Sequence, residues 1–194
     1  MTSSSSSGQS TGPAWPSAGL VLVAPGGVSA AEGQRLADLL GLRLLACGAE
    51  PHVDPSAALA DLAQEPGGWL LPLGVDPGAA LEQPGCWSEA LGAWRQPVVV
   101  QLPAAVAAAG PARAYVALLH SDGVPLVGVL QLGEPWQPEQ RRVDGLPWLG
   151  CLPVEEACAS TGQQIQAREA LRLNLLARWQ LSSARGAGPG HPVA

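Results

Sequence analysis

Three stretches of the chain bring together residue types that could do chemistry. The first is Ala24-Pro25-Gly26-Gly27-Val28-Ser29, where two glycines and a hydroxyl lead into a helical pattern. Amides at Gly26 and Gly27, backed by a helix N-terminus, are one way to hold an anion, so Gly26, Gly27 and Ser29 are the cofactor-binding candidates. The competing reading is a tight strand-to-helix turn that needs glycine for positive φ, with Ser29 already occupied as a helix cap. The second stretch holds Glu50, His52 and Asp54. It could form an acid/base or metal site, but a solvated loop in which Asp54 caps the next helix accounts for the same residues. The third, His120-Ser121-Asp122, has the letters of a hydrolytic triad. Adjacent residues on one chain cannot take the positions of nucleophile, base and orienter, and Gly123 marks the string as the polar end of a helix.

The sulfur and nitrogen chemistry is narrower still. Cys47, Cys86, Cys151 and Cys158 are scattered, and Cys151-x6-Cys158 fits neither a zinc spacing nor a redox pair, so no metal is expected. Cys86 has no histidine near it in sequence to activate a thiolate. All ten basic residues are arginine. The lack of lysine excludes Schiff-base chemistry and any phosphate clamp built on an ammonium group. Net charge is −6, and the few arginines are scattered or paired, as at Arg141 and Arg142. No basic stripe is present to follow a phosphate backbone, and nucleic acid is excluded as an expected partner.

The elements that must position these residues follow from hydrophobic pattern. Leu20 to Ala24, Arg43 to Ala46, Trp69 to Leu73, Val98 to Leu102, Leu126 to Leu132 and Trp148 to Leu152 are short apolar runs, the signature of strands buried on both faces. Between them lie helical segments. Ser29-Ala30-Ala31-Glu32 is a capping box that starts the first at about residue 30. Asp54 and Pro55 open a second over 55–63, and residues 86–94, 110–121 and 161–182 supply three more. The last is expected to turn Ile165, Leu171, Leu175 and Leu176 to the core and Arg168, Arg172 and Arg178 to water. The alternation predicts an α/β fold: a mostly parallel sheet of about six strands with helices on both faces.

One domain is expected over 18–183, between Ser/Gly/Pro-rich tails at 1–17 and 184–194 predicted to be disordered. No run approaches the ~18 apolar residues of a membrane span, so a cytoplasmic protein without a membrane partner is expected. Of the seven tryptophans, Trp69, Trp94 and Trp148 fall in or against predicted strands as core. Trp15, Trp87, Trp136 and Trp179 fall in loops or late in the last helix, where exposure would favour a protein interface.

The order of segments resembles a known family. Residues 67–73, GGWLLPL, are similar to the Gly-Gly-x-x-x-Pro-Leu segment of dethiobiotin synthetases. Then follow WSEALGAWRQPVVVQLP, PARAYVALLHSDG, VPLVGVLQLG and LPWLGCLP, the series of helix, strand, helix, strand and strand seen in P-loop proteins that include dethiobiotin synthetase, cobyrinic acid amidating enzymes and MinD/ParA ATPases. The resemblance spans about residues 19 to 155. It implies a three-layer P-loop NTPase-like fold, ATP and magnesium as cofactors of active members, a substrate region at Gly67 and Gly68, and dimerisation across the nucleotide face. The adenine-contacting Asn of the family falls on Leu132, with Gln131 as a candidate one residue away.

The departures carry the functional expectation. Where the family has G-x-x-x-x-G-K-S/T, this chain reads APGGVSAAEG, with Ala31 and Glu32 near the positions of Lys and Thr. Glu32 would set a carboxylate against a phosphate, a repulsion of about 4 kcal/mol at 4 Å and an effective dielectric of ~20. The expectation is a binding or interaction module with no cofactor and no assignable catalytic residue, pairing with itself or with an active relative. The alternative is a dethiobiotin synthetase-like ligase of biotin biosynthesis, using ATP and Mg on an atypical phosphate loop.

Overall fold

The computed structural model describes residues 19–46, 54–82, 84–107, 110–133, 135–153 and 162–186, without the side chains of 163 and 184–186. The expectations for residues 1–17, for the tail beyond Gly186, and for Cys47, Glu50, His52 and Cys158 lie outside the described residues. Six strands form, β1 (Leu20–Val23), β2 (Arg43–Leu44), β3 (Trp69–Pro72), β4 (Val98–Pro103), β5 (Leu126–Leu132) and β6 (Trp148–Leu152), each within or close to its expected run. Every pairing is parallel, in the order β2-β3-β1-β4-β5-β6. The five expected helices are α1 (Ala30–Leu40), α2 (Pro55–Leu62), α3 (Trp87–Ala93), α5 (Pro111–Ser121) and α7 (Gly162–Gly186). Two short helices, α4 (Ala104–Ala107) and α6 (Pro138–Val143), were not anticipated. Their four and six residues are too few to display a helical period.

Strand side chains alternate between two cores. Leu20 and Leu22 of β1 face Leu36, Ala37 and Leu40 of α1 and Leu171, Leu175 and Trp179 of α7. Val21 and Val23 face the other layer, with Leu59 of α2, Leu91 of α3 and Val116 and Leu119 of α5. All four residues of β1 are fully buried, which is why the run reads as unbroken apolar sequence. After β1 the chain goes out through α1 to β2 at the sheet edge and returns to β3 beside β1. It then crosses β1 to lay down β4 on the other side. The winding direction thus reverses at β1, and in such sheets ligands bind beyond the carboxyl ends of the strands at the reversal.

Two expectations about side chains are corrected. Ile165 is exposed rather than core-facing, because α7 meets the sheet only from Leu171 onward, while its described side chains from Gly162 to Ala170 all stand in solvent. Leu171, Leu175 and Leu176 are buried as expected, and Trp179 joins them with no exposure. Trp94 is 44% exposed rather than core, since it caps the C-terminus of α3 and lies in the turn before β4. Trp87 is also fully buried, so neither it nor Trp179 is offered to a partner.

Candidate functional site

The loop at the reversal is built from its amides outward. Gly26 and Gly27 have φ of 81° and 92°, and a Cβ on Gly27 would lie 2.3 Å from the Gly74 carbonyl oxygen. Glycine is therefore required there both by conformation and by the close approach of the loop after β3. The Gly27 amide donates to the Ala24 carbonyl at 3.0 Å and the Val28 amide to the Leu73 carbonyl at 2.8 Å. Gly26 donates to Asp76 Oδ2 at 3.1 Å, and Ser29 donates to Glu32 Oε2 from its amide at 2.8 Å and from Oγ at 2.7 Å. The Glu32 amide returns a bond to Ser29 Oγ at 3.3 Å, closing the capping box read from sequence. Four consecutive amides, Gly26 to Ser29, thus already have acceptors, and two of those acceptors are carboxylates of the chain itself.

Asp76 organises the crevice more widely. Its Oδ1 accepts from the Gly78 amide at 2.9 Å, so one side chain ties together the loops after β1 and β3. The Tyr115 hydroxyl on α5 lies close to the same carboxylate. Burial foremost, and then the charge and hydrogen-bonding reach of Asp76, push the Tyr115 pKa well above the usual tyrosine value, although no bond of good angle joins the two groups. Sequence inspection missed Asp76, which sits in an ordinary-looking Asp-Pro-Gly turn 50 residues from the glycine it holds.

A second polar cluster lies beyond β5. Gln131 is fully buried; its Nε2 donates to the carbonyls of Gly133 at 2.8 Å and Pro135 at 2.9 Å. Its Oε1 accepts from Arg141 Nε at 3.1 Å and Nη2 at 2.7 Å, while Arg141 Nη1 donates to the Ala107 carbonyl at 2.8 Å. The Arg141 guanidinium, 8% exposed, also lies 4.8 Å from the centre of the Trp148 ring. Trp148 Nε1 donates to Asp144 Oδ1 and Oδ2, both at 2.8 Å, and Trp136 meets Trp148 edge-on with centroids 6.0 Å apart. The Gln131 amide is therefore engaged with Arg141 and two carbonyls. Arg141 was seen in sequence only as half of an arginine pair. The usable signal was a lone glutamine inside the apolar run LVGVLQL.

The remaining candidates do not converge on either place. Gly67 and Gly68 precede β3, at the end of the sheet opposite the Gly26–Gly27 loop, with Gly67 at φ 81° and the Gly68 carbonyl accepting from the Arg43 amide at 3.3 Å. Glu65 pairs with Arg43 at 2.6 Å. Asp54 caps α2 through Oδ1, 2.9 Å from the Ser56 amide. His120-Ser121-Asp122 ends α5 and is followed by Gly123 at φ 75°, with Ser121 Oγ bonded back to the Leu118 carbonyl at 2.7 Å. Cys86 lies at the N-cap of α3, its Sγ 3.1 Å from Ser88 Oγ. Among the described residues no group of three His, Cys, Asp or Glu side chains is placed to hold a metal ion, and no helix is long and apolar enough to cross a membrane.

An all-parallel, six-stranded sheet whose winding reverses at the central strand makes this an α/β protein with a Rossmann-like or P-loop-like fold. No protein-family model matches the chain, and no curated protein matches it in sequence.

Proposed function

We propose that the chain is a non-catalytic binding or interaction module on a P-loop-like scaffold, one whose phosphate loop is filled by its own carboxylates. The observation that carries this reading is the Gly26 amide on Asp76 Oδ2, with Glu32 on the adjoining Ser29. A nucleotide phosphate at that loop would displace or face two negative groups with no lysine to offset them, each worth about 4 kcal/mol of repulsion at 4 Å and an effective dielectric of ~20. The same arrangement stabilises the closed turn, since each carboxylate satisfies amides that would otherwise need an anion or water.

Calorimetric titration of the purified chain with magnesium and ATP is the test. The expected result is no saturable heat up to about 1 mM nucleotide, a free energy weaker than about −4 kcal/mol. Micromolar binding, or release of phosphate from ATP, overturns the reading. Restored growth without biotin in a strain lacking dethiobiotin synthetase would do so too, in favour of an ATP- and magnesium-dependent ligase.

A further inference from the structure

A cavity of about 290 Å³ opens beside the second polar cluster, away from the loop after β1, lined by residues that include Ala107, Ala112, Arg113, Arg141, Asp144 and Leu146. Its walls come from α4, the first turn of α5 and α6. We propose that this cavity binds the oxyanion head of a small molecule, a carboxylate or a phosphate ester, on Arg141. The proposal stands apart from the fate of the Gly26–Gly27 loop, which contributes nothing to the cavity.

The reasoning starts from the donor count of a buried cation. A guanidinium carries five N–H groups. Among the described residues Arg141 spends three, two on Gln131 Oε1 and one on the Ala107 carbonyl. One N–H remains on each terminal nitrogen of a side chain that is itself 8% exposed. A buried cation with unfilled donors is costly, and it is held rigid here by Gln131 on one edge and the Trp148 ring against its face. Rigidity of this kind lowers the entropy lost when a planar or tetrahedral oxyanion accepts two parallel bonds from a guanidinium.

The lining favours a negative guest. Asp144 Oδ2 lies 3.9 Å from Arg141 Nη1, but both oxygens of Asp144 accept from Trp148 Nε1, and Oδ1 also accepts from the Leu146 amide at 3.0 Å. Two arginines therefore face one carboxylate that is already turned toward the indole, which leaves one net positive charge on the walls. Arg113 is exposed at the rim, and the Ala112 amide in the first turn of α5 has no carbonyl within that helix to bond. Ala107, Ala112 and Leu146 supply the apolar part of the wall. The volume is just under the usual range for small-molecule pockets and suits a compact metabolite.

The experiment uses the full chain with two probes, inorganic phosphate and succinate, followed by calorimetry and by amide and arginine side-chain NMR shifts. Saturable binding of at least one probe is expected, with the largest shifts at Gly110, Ala112, Arg113 and the Arg141 Nε–H. Phosphate alone would assign phosphate esters, succinate alone carboxylates. Arg141→Gln should abolish binding, and Arg113→Glu, a rim variant that leaves the buried cluster intact, should weaken it about tenfold or more. No saturable binding of either probe up to about 20 mM, a concentration roughly twentyfold above a 1 mM Kd, overturns the proposal. Binding that Arg113→Glu leaves untouched, or shifts that gather at Gly26 to Ser29, would overturn it as well.

Discussion

The ends of β1 and β5 treat charge in opposite ways. At the end of β1 the backbone offers donors and the chain brings its own anions, Asp76 and Glu32, to meet them. At the end of β5 the chain buries a cation, Arg141, and meets it with a neutral amide, a carbonyl and an aromatic face. Among the described residues the carboxylate paired with it, on Asp144, stays 3.9 Å away. In the first region the amides from Gly26 to Ser29 all have acceptors within the chain. The second has, among the described residues, two guanidinium N–H groups without an acceptor beside an open volume. In this molecule the reversal point of the sheet, where ligands are ordinarily sought, is the better satisfied of the two places.

The largest expected effect comes from breaking the second region. Arg141→Leu leaves Gln131 Oε1 and the Ala107 carbonyl without their partner and Asp144 without its nearest cation. A loss of about 3–5 kcal/mol is expected in urea unfolding, the range for removing one member of a buried charged network. A loss under about 1 kcal/mol would mean that water replaces the guanidinium easily and that the cluster is not integral to the fold. The first region breaks by shape instead. Gly27→Ala places a Cβ at φ 92° and 2.3 Å from the Gly74 oxygen, so the loops after β1 and β3 must separate. The cost should be roughly 2–3 kcal/mol, read as a lower unfolding midpoint. A neutral result would show that the two loops are not held in register.

Legibility in the sequence divides along the same line. The strands were readable because burial on both faces leaves continuous apolar runs, and α1 and α2 because their caps lie three residues or fewer from the groups they bond. Ser29 and Asp54 do what their local context announces. Asp76 and Arg141 do not, since their roles depend on partners 50 and 34 residues away that only the sheet topology brings close. The side-chain errors have a similar origin. Ile165 keeps the helical period of α7, but period alone does not say where along a 25-residue helix contact with the sheet begins. Trp94 was one residue beyond its helix, and that step turned it from the core to solvent.

A smaller effect sharpens the account of the first region through pH. Tyr115 is the single tyrosine of the chain and no lysine titrates near it, so its ionisation can be followed by ultraviolet difference absorbance. Burial and Asp76 raise its folded pKa above the unfolded value, which means the folded state holds the phenolic proton more tightly. The unfolded chain then binds fewer protons above about pH 10, and stability falls there by about 1.4 kcal/mol per pH unit from this group; below pH 10 its contribution is constant. Asp76→Asn should lower the Tyr115 pKa part of the way, leaving the effect of burial, so that the alkaline decline keeps its slope but ends at a lower pH. A Tyr115 that titrates at its ordinary value in the wild-type chain would show that its hydroxyl is neither buried nor set against the Asp76 carboxylate.

The smallest effect separates the two regions most directly. Ser29→Ala removes one acceptor from the Glu32 amide and one donor to Glu32 Oε2, while the Ser29 amide still bonds that carboxylate. Loss of an N-cap of this type costs about 1 kcal/mol, and the acidic group kept at the helix N-terminus should hold the loss at or below that figure. Because the bond is local to α1, the phosphate-induced NMR shifts at Gly110 and Ala112 should be unchanged in this variant. A change in them would couple the loop after β1 to the cavity beyond β5, and the two could then no longer be treated as independent sites. An unchanged response beside a measurable loss of stability would assign Ser29 to the fold and leave anion binding to Arg141.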